Sequence, residues 1–246
     1  MNCIRLPLKY VKNARDLGGY CTKDNKITKF KTFVRSSRLT DLTKEDNEFL
    51  KKYGITDIID LRGVTKIQAT FVSDDNIDGD YFKFYYLPLS NKESEDYSKA
   101  HELEPNFDFG EAYKFMLNNK EKVKQIFTVF AEAKGGVLFH CTAGKDRTGT
   151  VAALLLGLCG VDDLDIIANY QVTETYISGS TFLDTYAENV QKSDAKYIRT
   201  LIMRLKETYG TYENYLLSCG LSQETLNKIK DKFLEDFVVW GVIKWT

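Results

Sequence analysis

Gly136-Val-Leu-Phe-His140 runs directly into Cys141-Thr-Ala-Gly-Lys-Asp-Arg-Thr-Gly149 and then into Thr150-Val-Ala-Ala-Leu-Leu-Leu-Gly-Leu158. The first five residues read as a buried strand bounded by glycine. From Thr148 to Leu158 the chain is apolar on every side, the pattern of a helix enclosed by other elements. Between them lies a tight turn. A strand, a turn with glycine and a helix in that order describe one edge of an α/β sheet, where helix N-termini and strand ends meet.

Working outward, Phe33–Ser36 and Ile55–Asp60 read as strands, and Tyr81–Leu87 as an aromatic strand ended by Pro88. Lys44–Lys52 has helical spacing, with Thr43 as its N-cap. Helices are expected over Gly110–Asn118 and Lys120–Ala133. After the turn come Asp162–Ile177, Ala195–Thr208, Tyr212–Ser218 and Gln223–Phe233. Strands and helices alternate first and helices accumulate last. The expected fold is α/β, a central sheet flanked by helices with a C-terminal helical cluster. Asn91–Phe109 is polar and irregular, and is expected to form a mobile loop or lid. The prolines mark no linker and no repeat is visible, so residues 1–246 are read as a single domain.

Composition narrows the function classes. The 246 residues are 43% hydrophobic and 28% charged, with a net charge of -1. No bulk field draws the chain to nucleic acid or an anionic membrane. No apolar run reaches the length of a membrane span or a signal peptide, so a cytoplasmic location is expected. Five cysteines, with no close pair, and two histidines argue against a disulfide framework or a zinc site.

The turn itself carries the chemistry. Backbone N–H groups between Cys141 and Arg147 can curl around one tetrahedral oxyanion, and the following helix points its positive end at the same place. Gly144 permits the backbone conformation that such a curl needs, and Gly149 lets the helix start close to the sheet. A thiol at a helix N-terminus beside cations is biased toward thiolate, which makes Cys141 the candidate nucleophile. Arg147 offers a planar fork for two phosphate oxygens. Thr142, Ala143, Gly144, Lys145 and Asp146 complete the phosphate loop, with Lys145 as a point charge at its mouth. Thr148 can donate a hydroxyl to the departing sulfur, and His140 shapes the loop through hydrogen bonds. Asp146 is the first candidate for general acid; Asp78, Asp80, Asp96 and Asp108 are weaker ones. A nucleotide-binding loop is excluded. Gly144-Lys145 is followed by Asp146 rather than Ser or Thr, and Phe139 stands where that motif has glycine.

His140-Cys-Thr-Ala-Gly-Lys-Asp-Arg-Thr-Gly149 resembles the signature of the bacterial tyrosine phosphatases that also act on phosphoinositides. Asn13-Ala-Arg-Asp-Leu-Gly-Gly19, Val34-Arg-Ser-Ser-Arg-Leu39 and Gly54-Ile-Thr-Asp-Ile-Ile-Asp-Leu-Arg62 are similar to further motifs of that family. So are Glu207-Thr-Tyr-Gly210, Tyr215-Leu216 and Gly220-Leu-Ser-Gln223. The resemblance implies a protein tyrosine phosphatase-like fold and phosphate-monoester hydrolysis through phosphocysteine, without metal or cofactor. It puts the nucleophile on Cys141, the phosphate clamp on Arg147, and lipid-phosphate recognition and acid catalysis on Lys145 and Asp146. Implied substrates are phosphorylated protein, phosphoinositide or inositol polyphosphate; a non-catalytic phosphate-binding module is the contrasting class. One departure supports Asp146. There is no Trp-Pro-Asp acid loop, the tryptophans being Trp240 and Trp245. In the family, the segment after the Leu-Pro strand often forms a helical lid, and Asn91–Phe109 is short for two helices.

Other residues have local readings. Arg15 and Asp16 either support the loop or form an ion pair. Asp60 and Arg62 sit past a strand end and are read as structural. Tyr85 and Tyr86 are read as packing, Gln171 as a possible water-positioning residue, and Cys159 as core.

Overall fold

A computed structural model describes residues 2–40, 42–63, 77–90, 92–101, 103–104, 106–180 and 191–237. Trp240 and Trp245 lie outside them.

β6 (Gly136–His140) is buried along its whole length, because it pairs in parallel with β3 (Phe33–Ser36) on one side and β4 (Ile55–Asp60) on the other. A strand covered on both faces needs apolar residues throughout rather than alternation. β5 (Lys83–Tyr86) extends the sheet beyond β4, also in parallel. β1 (Arg15–Asp16) adds antiparallel to β3, giving the order β1-β3-β6-β4-β5. β2 (Lys26–Thr28) and β7 (Leu234–Asp236) form a separate antiparallel pair.

Alternate side chains of the sheet feed two cores. On one face, Val34, Ile58 and Leu138 pack with Leu6, Leu8 and Val11 of the N-terminal segment and with Leu50 and Tyr53 of α1 (Lys44–Tyr53). Thr43 caps α1 in a capping box with Asp46, as expected, and Gly54 closes it at φ 99°. On the other face, Phe33, Ile59, Val137 and Phe139 meet the remaining helices. These are α3 (Gly110–Asn118), α4 (Lys120–Glu132), α5 (Asp146–Leu158), α6 (Asp163–Ile177), α7 (Ala195–Tyr209), α8 (Tyr212–Ser218) and α9 (Gln223–Phe233). The uniformly apolar α5 is packed by α3, α6, α7 and α8, which accounts for its lack of a polar face.

The stretch 91–109 departs from expectation. It contains α2 (Lys92–Ala100), not irregular chain throughout. Tyr97 anchors this helix against the rings of Phe107 and Phe115. One aromatic residue in a polar segment of good helix formers was too weak a periodic signal to read.

Candidate active site

The strand registers bring the site together. Ser36, His140, Asp60 and Tyr86 stand side by side at the carboxyl ends of β3, β6, β4 and β5. Residues just beyond them emerge on one edge, where ligands bind in open α/β sheets. There, Cys141 to Lys145 link β6 to α5. Cys141 is 2% exposed.

The loop is held from behind. The Thr142 carbonyl accepts from the Arg38 N–H at 3.0 Å. Asn13 Nδ2 donates to the Ala143 and Gly144 carbonyls at 3.0 and 2.9 Å, and Arg35 Nη2 donates to the Gly144 carbonyl at 2.7 Å. All three partners lie on the β1–β3 side. In a trans peptide the next residue's N–H points opposite to the carbonyl. With their carbonyl neighbours tied back, the N–H groups of Ala143, Gly144 and Lys145 lie on the opposite side of their peptides, the arrangement from which an anion nest can be built. Gly144 has φ 68°, and a Cβ there would lie 2.4 Å from the Ser36 carbonyl oxygen, so only glycine fits.

Arg15 and Arg35 face each other across the β1–β3 pair. Arg15 donates to the Asn13 side-chain oxygen, to the Asn169 carbonyl at 2.7 Å and to Thr173 Oγ1 at 3.0 Å. Arg35 Nη1 reaches Asn169 Oδ1 at 2.6 Å. Burial, reinforced by Arg35, pushes the Arg15 guanidinium well below its usual value. Burial brings Arg35 down to about 10, and Cys141 is the leading negative group opposing that shift. Of the two readings for Arg15 and Asp16, loop support holds for Arg15 alone. Asp16 forms no pair with it, and accepts instead from the Gly18 and Lys31 N–H groups and from the Tyr53 hydroxyl.

Asp60 and Arg62 form a buried bidentate pair, Nε at 2.9 and 3.0 Å and Nη2 at 2.7 Å, with His140 Nδ1 at 4.0 Å from the carboxylate. Burial raises the Asp60 pKa, but His140 and Arg62 outweigh it and hold the carboxyl below its usual range. His140 thus sits within the supporting network under the loop.

α5 begins at Asp146, two residues earlier than read from the apolar run. Asp146 Oδ1 accepts from the Tyr113 hydroxyl of α3, whose oxygen is 2.6 Å from the Tyr170 hydroxyl of α6. Lys145 is not a solvent-facing charge at the mouth. It is 2% exposed, donates to the Lys192 carbonyl at 2.9 Å, lies 3.4 Å from Asp146 Oδ1, and sits over the rings of Phe109 and Tyr197. Arg147 Nη1 points to Ser90 Oγ at 3.4 Å. Thr148 is fully buried, and its hydroxyl has no hydrogen-bond partner among the described residues. Gly149 is required by α6 rather than by the sheet, since a Cβ there would meet the Tyr170 ring at 2.8 Å.

The other candidates fall elsewhere. Asp108 accepts from the Gly110 N–H at the start of α3 at 2.8 Å and from Thr200 Oγ1 at 2.6 Å. Asp78 bridges to Lys51 at 2.7 Å. Asp80 and Asp96 are exposed, as is Gln171, while Asn169 and Thr173 of the same helix face the loop supports. Tyr85 packs against the core and donates to Asp57 Oδ1 at 3.2 Å, and Tyr86 is 37% exposed. Asn13, Tyr113, Asn169, Tyr170 and Thr173 join the site without a chemical signal of their own in the sequence. Asn13 and Arg35 lay inside quoted motifs, whereas nothing local marks the tyrosines.

A model of the tyrosine phosphatase family matches residues 6–235. A tyrosine-protein phosphatase of Nostoc commune is 32% identical over 216 residues, covering 80% of this chain and 72% of that protein. Triple specificity protein phosphatase PtpB of Mycobacterium tuberculosis is 27% identical, covering 81% of this chain and 90% of its own. Among solved structures, P. aeruginosa TpbA superposes with a TM-score of 0.42 at 15% identity, covering 80% of this chain and 91% of that one. With a family model matched over residues 6–235, this chain belongs to the tyrosine phosphatase family.

Proposed function

We propose that the protein hydrolyses phosphate monoesters, phosphotyrosine in proteins foremost, through a phosphocysteine on Cys141. The supporting observation is that the Thr142, Ala143 and Gly144 carbonyls next to Cys141 are tied back to Arg38, Asn13 and Arg35, which leaves the Ala143, Gly144 and Lys145 N–H groups for an anion. Such a nest binds three phosphate oxygens, and Arg147 at the start of α5 adds a bidentate donor. Cys141 Sγ attacks phosphorus, the S–P bond forms, and the ester P–O bond breaks as Asp146 passes its proton to the leaving oxygen. Water then cleaves the S–P bond, its proton returning to Asp146. The buried Thr148 hydroxyl is suited to donate to the departing sulfur. The donors are preset, so the charge that builds on the phosphoryl oxygens needs little reorganisation.

Asp146→Asn tests the acid. Its kcat/KM is expected to fall about 100-fold on alkyl and phenyl phosphates, far less on p-nitrophenyl phosphate, whose leaving group needs no proton. Equal losses on both would move the acid elsewhere.

A second reading, turnover of phosphoinositides or inositol phosphates, is favoured by Lys145, whose ammonium lies 3.4 Å from Asp146 Oδ1 inside the site wall. A further phosphate on the substrate ring would meet that charge once it leaves the Lys192 carbonyl. Under this reading Lys145→Ala lowers phosphoinositide turnover roughly tenfold more than p-nitrophenyl phosphate turnover, the size of one charge-assisted contact. A panel of phosphopeptides, phosphoinositides and inositol phosphates checks it, and parallel losses would remove Lys145 from substrate selection.

A further inference from the structure

We propose that Tyr113, backed by Tyr170, is the positioning residue that fixes the Asp146 carboxyl and makes Oδ2 the atom that protonates the leaving group. The inference rests on the reading of Asp146 as general acid. Tyr113 comes from α3 and Tyr170 from α6, and both rings are almost fully buried. The Tyr113 hydroxyl donates to Asp146 Oδ1. A phenol has one proton, so in the Tyr113–Tyr170 contact at 2.6 Å Tyr170 is the donor. The order Tyr170→Tyr113→Asp146 is thereby determined. Burial, followed by the charge of Asp146, raises both phenol pKa values, so both protons stay in place.

Two consequences follow for the acid. Oδ1 already faces Tyr113 and Lys145 Nζ, which leaves Oδ2 for the substrate oxygen. Asp146 is also partly exposed, its side chain at 34%, so solvent alone would not hold one rotamer. The hydrogen bond from Tyr113 gains strength as Asp146 gives up its proton, because an ionised acceptor binds a donor more tightly than a neutral one. Tyr113 therefore favours the transition state over the ground state. The packing of Tyr170 against Gly149 ties the chain of hydroxyls to the first turn of α5.

The test is the dependence of kcat/KM on leaving-group pKa across a series of aryl phosphates, for wild type, Tyr113→Phe, Tyr170→Phe, Asp146→Asn and Tyr113→Phe/Asp146→Asn. Each slope compares substrates on one preparation, so partial unfolding of a variant cancels. Tyr113→Phe is expected to lose roughly tenfold on the least acidic phenols and less than about twofold on nitrophenols, the worth of one hydrogen bond to a charged group. Tyr170→Phe should move the same way by less, and the double variant should be no steeper than Asp146→Asn. A uniform loss across the series for Tyr113→Phe, with a steep slope for Asp146→Asn, would leave the acid in place and reduce Tyr113 to a packing residue. A flat series for Asp146→Asn would overturn the acid assignment itself, and the role of Tyr113 with it.

Discussion

Cys141→Ser is expected to lower kcat by at least about four orders of magnitude while leaving phosphate recognition nearly intact. A serine hydroxyl has almost no alkoxide at neutral pH, and Asp146, which must carry a proton to the leaving oxygen in that step, cannot also take the one from serine. The N–H groups of Ala143, Gly144 and Lys145 are set by bonds to Asn13, Arg35 and Arg38, none of which depends on the sulfur. Phosphotyrosine-peptide binding by the variant should therefore stay within a few-fold of wild type. The other cysteines give a contrast. Burial pushes the Cys159 thiol up to about 12 and raises that of Cys219, so neither is a thiolate at neutral pH. Exposed Cys21 is the harmless control. Turnover above about 1% of wild type in Cys141→Ser would place the nucleophile elsewhere, since a lost nucleophile costs far more than that.

Gly144→Ala carries the second largest expected effect. At φ 68° a side chain is strained by roughly 1–2 kcal/mol. The added Cβ would also stand 2.4 Å from the Ser36 carbonyl oxygen and 2.6 Å from its carbon. Ser36 is a sheet residue paired with His140 and cannot withdraw, so the loop must. Moving Gly144 pulls its carbonyl off Asn13 and Arg35 and turns the Gly144 and Lys145 N–H groups out of the nest. With roughly 10²–10³ lost per misdirected oxyanion donor, kcat/KM should fall by about 10³ or more. Inhibition by inorganic phosphate should weaken in parallel while the circular dichroism of the fold persists. Gly79→Ala, where a Cβ meets nothing within 4 Å, serves as control. Activity within tenfold of wild type would show that the N–H groups do not bind the transferring phosphoryl group.

Much of the fold is written in local pattern. β3, β4 and β6 are recovered to the residue because glycine or polar residues bound their apolar runs. α1 is legible from Thr43, and the helical stretches expected over Tyr212–Ser218 and Gln223–Phe233 match α8 and α9 in their bounds. What escaped is what only the sheet creates. β1 is two polar residues long, and becomes a strand because β3 offers it a ladder. β2 and β7 are more than two hundred residues apart.

The site divides in the same way. Cys141 to Gly149 is contiguous and chemically distinctive, so it stands out as a candidate site in the sequence alone. Asn13 and Arg35 were visible as motif members, but their task of pulling back loop carbonyls depends on the β1–β3–β6 register. Tyr113 and Tyr170, on α3 and α6, were indistinguishable from packing tyrosines. Only the fold brings their hydroxyls to Asp146. Lys145 was misplaced because its letter says cation, and not that Phe109, Tyr197 and the Lys192 carbonyl would draw it inside.

The paired guanidinium groups of Arg15 and Arg35 have a consequence for the resting protein. Both are buried, and the hydrogen bonds they make go to neutral oxygens of Asn13, Gly144, Asn169 and Thr173. Among the described residues no carboxylate within salt-bridge distance balances them. Two cations in a low-dielectric interior seek compensation. The Cys141 sulfur is the group whose negative charge would most offset Arg35. Under the proposed function the phosphoryl group of the substrate would bring compensating negative charge, so Arg15 and Arg35 would favour its binding from behind the loop without touching it.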